Sequence, residues 1–314
     1  VSDERFLEEF EEEYIRLENE FREKTANKRK SLREKVLEKI AVEEPKVPPE
    51  DKSNKVVICH FYNEEHLLPW WLKHHQAIFG HGIMIDYYST DRSRDLIKEI
   101  CPTWEIINTK NSGFVPKDID REVMDIEKGL DKNLWRICLN VPEFLYGNIA
   151  RLNKTKKSTQ YILPNYVFVD MEDFAKQPVH LYHDQPLHEQ RYWGYFAPDY
   201  EGCCDPVRYH RSIHNHPIVY PDYGRHYVFT DYKHSFDDLV IFYYAFADLS
   251  EQGLARRLQI KKNIPKEYQC GHHMYEKSRI VEHVRHDHAK KAIDLSKEVE
   301  TIVKLNKQCT GQDW

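Results

Sequence analysis

The 314-residue chain has no glycine-rich phosphate loop, no long uncharged apolar run, no zinc-finger cysteine spacing and no excess of positive charge. Each absence excludes something. Without a G-x-G-x-x-G or G-x-x-x-x-G-K-[ST] loop, the ordinary dinucleotide-binding and P-loop readings fall away. No stretch approaches the length of a transmembrane span, and no signal peptide is visible. A formal net charge of −6 gives no general affinity for nucleic acid. Seven cysteines, with one adjacent pair at Cys203-Cys204, suggest a reduced protein of the cytoplasm, free or peripheral at a membrane. No internal repeat or low-complexity tract is evident. What is present is a chain 40% hydrophobic and 31% charged, with 20 Tyr and 14 Phe. That suffices for one core of about 220 residues with appendages.

The most informative run is Val56 to Asp95, VVICHFYNEEHLLPWWLKHHQAIFGHGIMIDYYSTDRSRD. Val56, Val57 and Ile58 form a β-branched strand. Leu67, Trp71, His74 or His75, and Ile78 then recur at helical spacing. Pro69 belongs in a first turn, so the helix starts near His66. Ile83, Met84 and Ile85 make a second strand, and Asp91 is placed to cap a helix containing Leu96, Ile97 and Ile100. Strand, helix, strand is a βαβ unit and requires a parallel sheet. Asn63, Glu64 and Glu65 follow the first strand, and Asp86, Ser89 and Asp91 follow the second. Open α/β sheets bind ligands at such strand tips.

These residues resemble the nucleotide-binding half of family 2-like glycosyltransferases with the GT-A fold. Those proteins carry an N-E pair after the first strand, a W-L-x-H-H helix, and a D-N-x-S-x-D-x-S turn after the second. Here they read Asn63-Glu64, Trp71-Leu72-Lys73-His74-His75, and Asp86-Tyr87-Tyr88-Ser89-Thr90-Asp91-Arg92-Ser93, with Tyr87 for the usual Asn. The resemblance spans roughly Lys55 to Tyr275 and ends in a basic segment from Arg256 to Lys261, Ile264-Pro265 and Gly271-His272-His273. It implies a mainly parallel mixed sheet flanked by helices. It also implies a UDP- or GDP-linked sugar donor, held by Phe61, Asn63, Glu64, Asp86 and Asp91, and a glycan or lipid-linked glycan acceptor. Carboxylates suit that pocket because they accept hydrogen bonds from a base N–H or a ribose hydroxyl.

GT-A enzymes usually hold a divalent ion with a D-x-D motif, commonly within W-x-(apolar)-D-x-D-E-F-L. The matching stretch is Trp135-Arg136-Ile137-Cys138-Leu139-Asn140-Val141-Pro142-Glu143-Phe144-Leu145. Asn140 and Pro142 replace the two aspartates, and Glu143 alone remains. One amide and one carboxylate suit a hard cation poorly. Three readings follow: weak Mn or Mg binding through Glu143 and His226, metal-free neutralisation of the diphosphate by cationic side chains, or an inactive relative. Metal independence is the favoured expectation. Asp170-Met171-Glu172-Asp173 is a second acidic cluster at a strand end.

In the second half, Arg211 and His226 take the positions of a basic residue and a later His that approach the diphosphate in the resembled family. Arg225 adds a planar guanidinium fork suited to phosphate. Trp193-Gly194-Tyr195-Phe196 resembles its W-x-x-F-G strand, where aromatics stack on sugars or pack the core. An inverting transfer needs a carboxylate base near the acceptor, and Asp199, Glu201 and Glu189 are the candidates.

Residues 1–45 read as an amphipathic helix or coiled coil, residues 46–275 as the GT-A-like domain, and residues 276–314 as a C-terminal helix. These end helices are expected to pack on each other, to form an oligomer or to bind a partner domain. Two other function classes stay open. One is a non-catalytic glycosyltransferase-like assembly module, motivated by the lost D-x-D. The other is a His-rich metallohydrolase built on His180 and His183, or on His210, His214 and His216.

Overall fold

The computed structural model describes residues 33–40, 52–155, 158–171, 177, 180–199, 211–220, 224–225, 238–268, 274–312 and 314. A helix at 33–40 (α1) comes first, followed by β1 (Lys55–Phe61), α2 (Leu68–His75), β2 (His81–Asp86), α3 (Ser93–Ile100) and β3 (Glu105–Asn108). After α4 (Pro116–Gly129) come β4 (Trp135–Asn140), β5 (Glu143–Gly147), α5 (Arg151–Lys154), β6 (Gln160–Leu163) and β7 (Asn165–Val169). The remainder comprises α6 (Leu187–Gln190), β8 (Trp193–Phe196), β9 (Arg211–His214), β10 (Leu239–Phe246), α7 (Glu251–Leu258), α8 (Lys277–His283), β11 (Ile293–Asp294) and α9 (Ser296–Thr310).

The strands form two sheets. The first runs β3-β2-β1-β4-β9-β6, and its first four strands are parallel, as a βαβ start demands. The second runs β11-β8-β7-β10-β5 and is antiparallel except between β7 and β10. The molecule is therefore a mixed α/β structure flanked by helices, in keeping with the GT-A-like expectation. Its second sheet is more antiparallel than the sequence suggested.

Every residue of β1 is buried, because helices cover both faces of the parallel sheet. Val57, Cys59 and Phe61 join the core shared with α2, while Val56 and Ile58 pack with Ile119 and Val123 of α4. Alternation puts His60 on the α4 side.

The W-L-K-H-H motif has a structural use in α2. Strand β5 is the edge of the second sheet, and its backbone is met by α2 side chains. Trp71 Nε1 donates to the Glu143 carbonyl at 2.9 Å, and the Leu145 N–H donates to His75 Nε2 at 3.2 Å. The Leu145 carbonyl lies 2.7 Å from His74 Nε2. Three polar side chains thus satisfy backbone groups that a neighbouring strand would otherwise pair.

The described parts of both termini contribute to the main core: Val36 and Ile40 from α1, and Val299, Ile302, Leu305 and Cys309 from α9. Arg33 of α1 is ion-paired to Glu298 of α9. The C-terminal stretch is not one helix. Between α8 and α9 lie a π-helical turn (Val284–His288), a 3₁₀ turn, and β11, whose Ile293 pairs with Gly194 of β8. Strand pairing overrides the apolar spacing there. Among the described residues no helix is long and apolar enough to cross a membrane.

Candidate functional site at the strand tips

In the first sheet, strand order reverses between β1 and β4, since the chain adds β2 and β3 on one side and β4 on the other. A crevice outside the carboxyl ends of the strands at such a point is the usual ligand position of open α/β sheets. Asn63 lies at the tip of β1, with φ of 50°. Its Oδ1 accepts from the Thr90 N–H at 2.7 Å and the Asp91 N–H at 3.3 Å, while its own N–H donates to Ser89 Oγ at 3.0 Å. Asp91 accepts from the Ser93 and Glu65 N–H groups at 2.9 and 3.0 Å. The helix that follows is N-capped by Arg92, so Asp91 braces the loop one residue ahead of the cap. Asp86, 2% exposed, accepts from the Ser89 N–H at 2.8 Å and from Arg94 Nη1 at 2.6 Å.

Asn63, Asp86 and Asp91 are thus brought together, but most of their side-chain capacity is used inside the protein. Phe61 departs from expectation: its ring is 2% exposed and lies in the core, and its carbonyl accepts from Tyr87. Glu64 is gripped by the Arg256 fork of α7, with Arg256 Nη2 at 3.0 Å from Oε1. Burial raises the Glu64 carboxyl above its usual range, against the pull of Arg256. Gln259 Nε2, just past α7, donates to the Tyr62 and Asn63 carbonyls at 3.2 and 2.6 Å and pins α7 to the tip.

At the other side of the crevice the chain steps from one sheet to the other through Val141-Pro142. The one remaining acidic residue of the motif does not face open space. Glu143 receives the Arg211 guanidinium in bidentate form, Nε to Oε2 at 2.8 Å and Nη2 to Oε1 at 2.7 Å, with 2% and 5% of the side chains exposed. The Asn140 N–H adds a bond to Oε2 at 2.8 Å. This geometry corrects two expectations. Glu143 is neutralised by an arginine rather than presented to a metal, and Arg211 is engaged with Glu143 and the Gly224 carbonyl rather than presented to phosphate. The fork and the Asn140 N–H together take three of about four acceptor sites on the Glu143 carboxylate.

Arg225, 5% exposed and at φ of 64°, donates to Asn140 Oδ1 at 3.0 Å and lies 3.2 Å from Asp120 Oδ1 of α4. Its Nε has no hydrogen-bond partner among the described residues. Below it sit His60 and Glu122. The His60 ring, 7% exposed, has no hydrogen bond on either nitrogen among the described residues, and its Nε2 is 3.5 Å from Glu122 Oε2. Burial pulls His60 down to about 4, so the ring is neutral near pH 7. Glu122 is held by Thr109 Oγ1 and the Lys110 N–H at 2.8 and 2.7 Å. Among the described residues no group of three or more His, Cys, Asp or Glu is gathered for a metal.

The candidate bases are dispersed. Asp199 follows β8 at the end that pairs with the start of β7, and it faces Arg33 at 3.7 Å. That is the end of the second sheet opposite the close of β10. Glu189 is exposed on α6, while Glu201 and His226 lie outside the described residues. Asp170 accepts from the Leu249 N–H at 2.8 Å; Glu172 and Asp173 fall outside the described residues. The histidines proposed as zinc ligands are spread among other partners. His214 Nδ1 contacts the His216 carbonyl at 2.7 Å, and His183 Nε2 contacts the His66 carbonyl at 2.9 Å. His210 lies outside the described residues. In β8, Phe196 packs on Tyr166 with ring centroids 4.9 Å apart, a core contact.

One pair at the tip has no counterpart among the residues singled out from sequence. His66 Nε2 lies 2.6 Å from Asp248 Oδ2, across 182 residues of chain. The only available signal was Asp248-x-Ser250 ahead of a helical run, in which Ser250 caps α7 by accepting from the Gly253 N–H. Burial opposes ionisation of Asp248, yet hydrogen bonds from His66 and Ser250 prevail and bring it to about 2.

No protein-family model and no curated protein matches this chain. Among solved structures, similarity is found to residues 1–349 of S. aureus TarS at 11% identity, covering 73% of this chain and 69% of that one, with a TM-score of 0.30. A TarS 1–349 complex with UDP-GlcNAc is 16% identical over 36% of this chain and 35% of that one, TM-score 0.27. HddC from Yersinia pseudotuberculosis is 14% identical over 42% of this chain and 65% of that one, TM-score 0.25. The match spans about a fifth of a longer TarS chain, 22% of its length.

Proposed function

We propose that this chain binds a nucleoside-diphosphate sugar across the β1, β2 and β4 tips and transfers the sugar to a hydroxyl acceptor, with no divalent ion at the β4–β5 step. The observation that carries this reading is Arg225. Its guanidinium lies between Asn140 Oδ1 at 3.0 Å and Asp120, beside the position where the resembled motif would hold its cation. A fixed cation there can stabilise charge that builds on the departing diphosphate. Asn63, Glu64, Asp86 and Asp91 shape the nucleotide side of the crevice, chiefly by fixing the loops that carry backbone donors. The transfer inverts the anomeric centre in this reading, and the acceptor is a glycan or a lipid-linked glycan. The resembled residues of the first half supply the donor class, UDP- or GDP-linked. A panel of such sugars at millimolar concentration should raise the melting temperature, equally with EDTA and with manganese. Flat curves across the panel sink donor binding; a shift that requires manganese sinks metal independence.

A second reading is a non-catalytic module that binds nucleotide and serves assembly. The specific observation in its favour is charge balance. Arg211 is paired with Glu143 and Arg225 with Asp120, and Glu122 adds a further carboxylate nearby. Nucleotide binding without transfer or donor hydrolysis would select it, and turnover would exclude it.

A further inference from the structure

We propose that His66 and Asp248 form the general-base dyad of this site, with His66 Nδ1 taking the proton from the acceptor hydroxyl. The proposal rests on the transferase reading above and supplies it with a base at the strand tips, where the described residues Asp199 and Glu189 do not stand. Asp199 lies at the far end of the second sheet and Glu189 on an exposed helix face, so neither stands beside the crevice.

The geometry is that of a base held by an orienting group. Asp248 follows β10 and is fixed by the Ser250 N–H at 2.9 Å. An ionised carboxylate only accepts, so the 2.6 Å contact places a proton on His66 Nε2, and in the neutral ring the lone pair is then on Nδ1. No described residue bonds to Nδ1, and 17% of the His66 side chain remains exposed. The ring is otherwise held in place. Its edge packs on Trp70, with centroids 6.1 Å apart, and its backbone carbonyl accepts from His183. A recess of about 10 Å³, room for one water, lies beside the pair and is lined by His66, Leu67, Tyr244, Asp248, Gly253 and Arg256. Arg256 grips Glu64, so the same recess adjoins the tip of β1.

The step balances without any further reactant. The acceptor oxygen forms a bond to the anomeric carbon as its proton passes to Nδ1. The bond from that carbon to the diphosphate oxygen breaks, and the electron pair leaves on the nucleoside diphosphate. The imidazolium that forms lies against the Asp248 carboxylate. The charged or titratable groups facing His66 are Asp248 after β10, Glu64 on its own loop, Arg256 from α7, and His183 from the loop before α6.

The test uses the whole chain with the donor sugar that gives the largest melting shift, following release of the nucleoside diphosphate. His66→Gln should lower kcat by 10²- to 10⁴-fold, leave the donor KM and the donor-induced melting shift within two-fold, and abolish the acidic limb of the kcat–pH profile. Asp248→Asn, which keeps the shape but reverses the preferred tautomer, should lower kcat by at least ten-fold with the same KM. Wild-type turnover that persists within two-fold in His66→Gln overturns the dyad and leaves the transferase reading standing. A wild-type protein that releases no nucleoside diphosphate from any bound donor overturns both.

Discussion

The two sides of the crevice are built on opposite principles. On the β1–β2 side, Asn63 and Asp91 bond chiefly to backbone N–H groups of neighbouring loop residues, while Asp86 adds Arg94 and Glu64 is held by Arg256. On the β4–β5 side, side chains bond to side chains, and two arginines are matched with two carboxylates, Glu143 and Asp120. The first arrangement fixes loop shape. The second neutralises charge internally, so it determines what charge the crevice offers a ligand. Residues that look familiar in the first region can therefore be kept for architecture alone.

The comparison is broken most forcefully at Glu143. Removing one partner of a buried arginine–carboxylate fork leaves an uncompensated charge, so Arg211→Met should cost about 3–5 kcal/mol of unfolding free energy. Urea denaturation checks this; a loss under 1 kcal/mol would show that the fork is not what holds the step between the sheets. Acid comes next. Burial holds His60 and His188 neutral in the fold, with both rings pulled down to about 4. The unfolded chain, with histidines near the ordinary value of about 6.5, then binds more protons than the fold between those limits. Stability should be level above pH 7 and fall as pH drops from about 6.5 toward 4, by on the order of 3 kcal/mol per ring. His60→Gln should flatten part of that slope in a pH series of melting temperatures.

Asn63 offers a finer test. Its positive φ makes glycine a tolerable replacement and alanine a poor one, while both lose the bonds to Thr90 and Asp91. Asn63→Ala should cost about 2 kcal/mol and Asn63→Gly roughly half as much. Equal losses would mean that the side-chain bonds, and not the backbone conformation, set the cost. The smallest effect sharpens the other side. Restoring the acidic motif with Asn140→Asp and Pro142→Asp should leave the melting temperature indifferent to manganese, because Glu143 stays under Arg211. A manganese-dependent rise would show that the fork yields to a metal.

Much of the first region was legible in the chain. The periodicity of Val56 to Asp95 gives strand, helix and strand in the right order, because one continuous apolar pattern builds each element. Asn63, Asp86 and Asp91 were legible as a cluster through their positions after strands, although their internal bonding was not. Pairings across long separations left no pattern to read. Arg211 lies 68 residues from Glu143, and His66 lies 182 from Asp248. Nothing local in either partner's sequence announces the other, and only the sheet order brings them together. The same holds for α8 to α9, where a strand pairing with β8 interrupts what reads as an uninterrupted helical face.

The rings of α2 that cover β5 carry a further consequence. An edge strand with open backbone groups is a template for any other extended chain. Here part of that template is closed by an imidazole acting as acceptor, His75 Nε2 toward the Leu145 N–H. Burial depresses His75 well below its ordinary value, which keeps the acceptor available in neutral solution. Strong acid converts the same nitrogen into a donor, setting two N–H groups against each other and freeing the edge. Light scattering across an acid titration checks the expected outcome, that association begins only once this ring is charged.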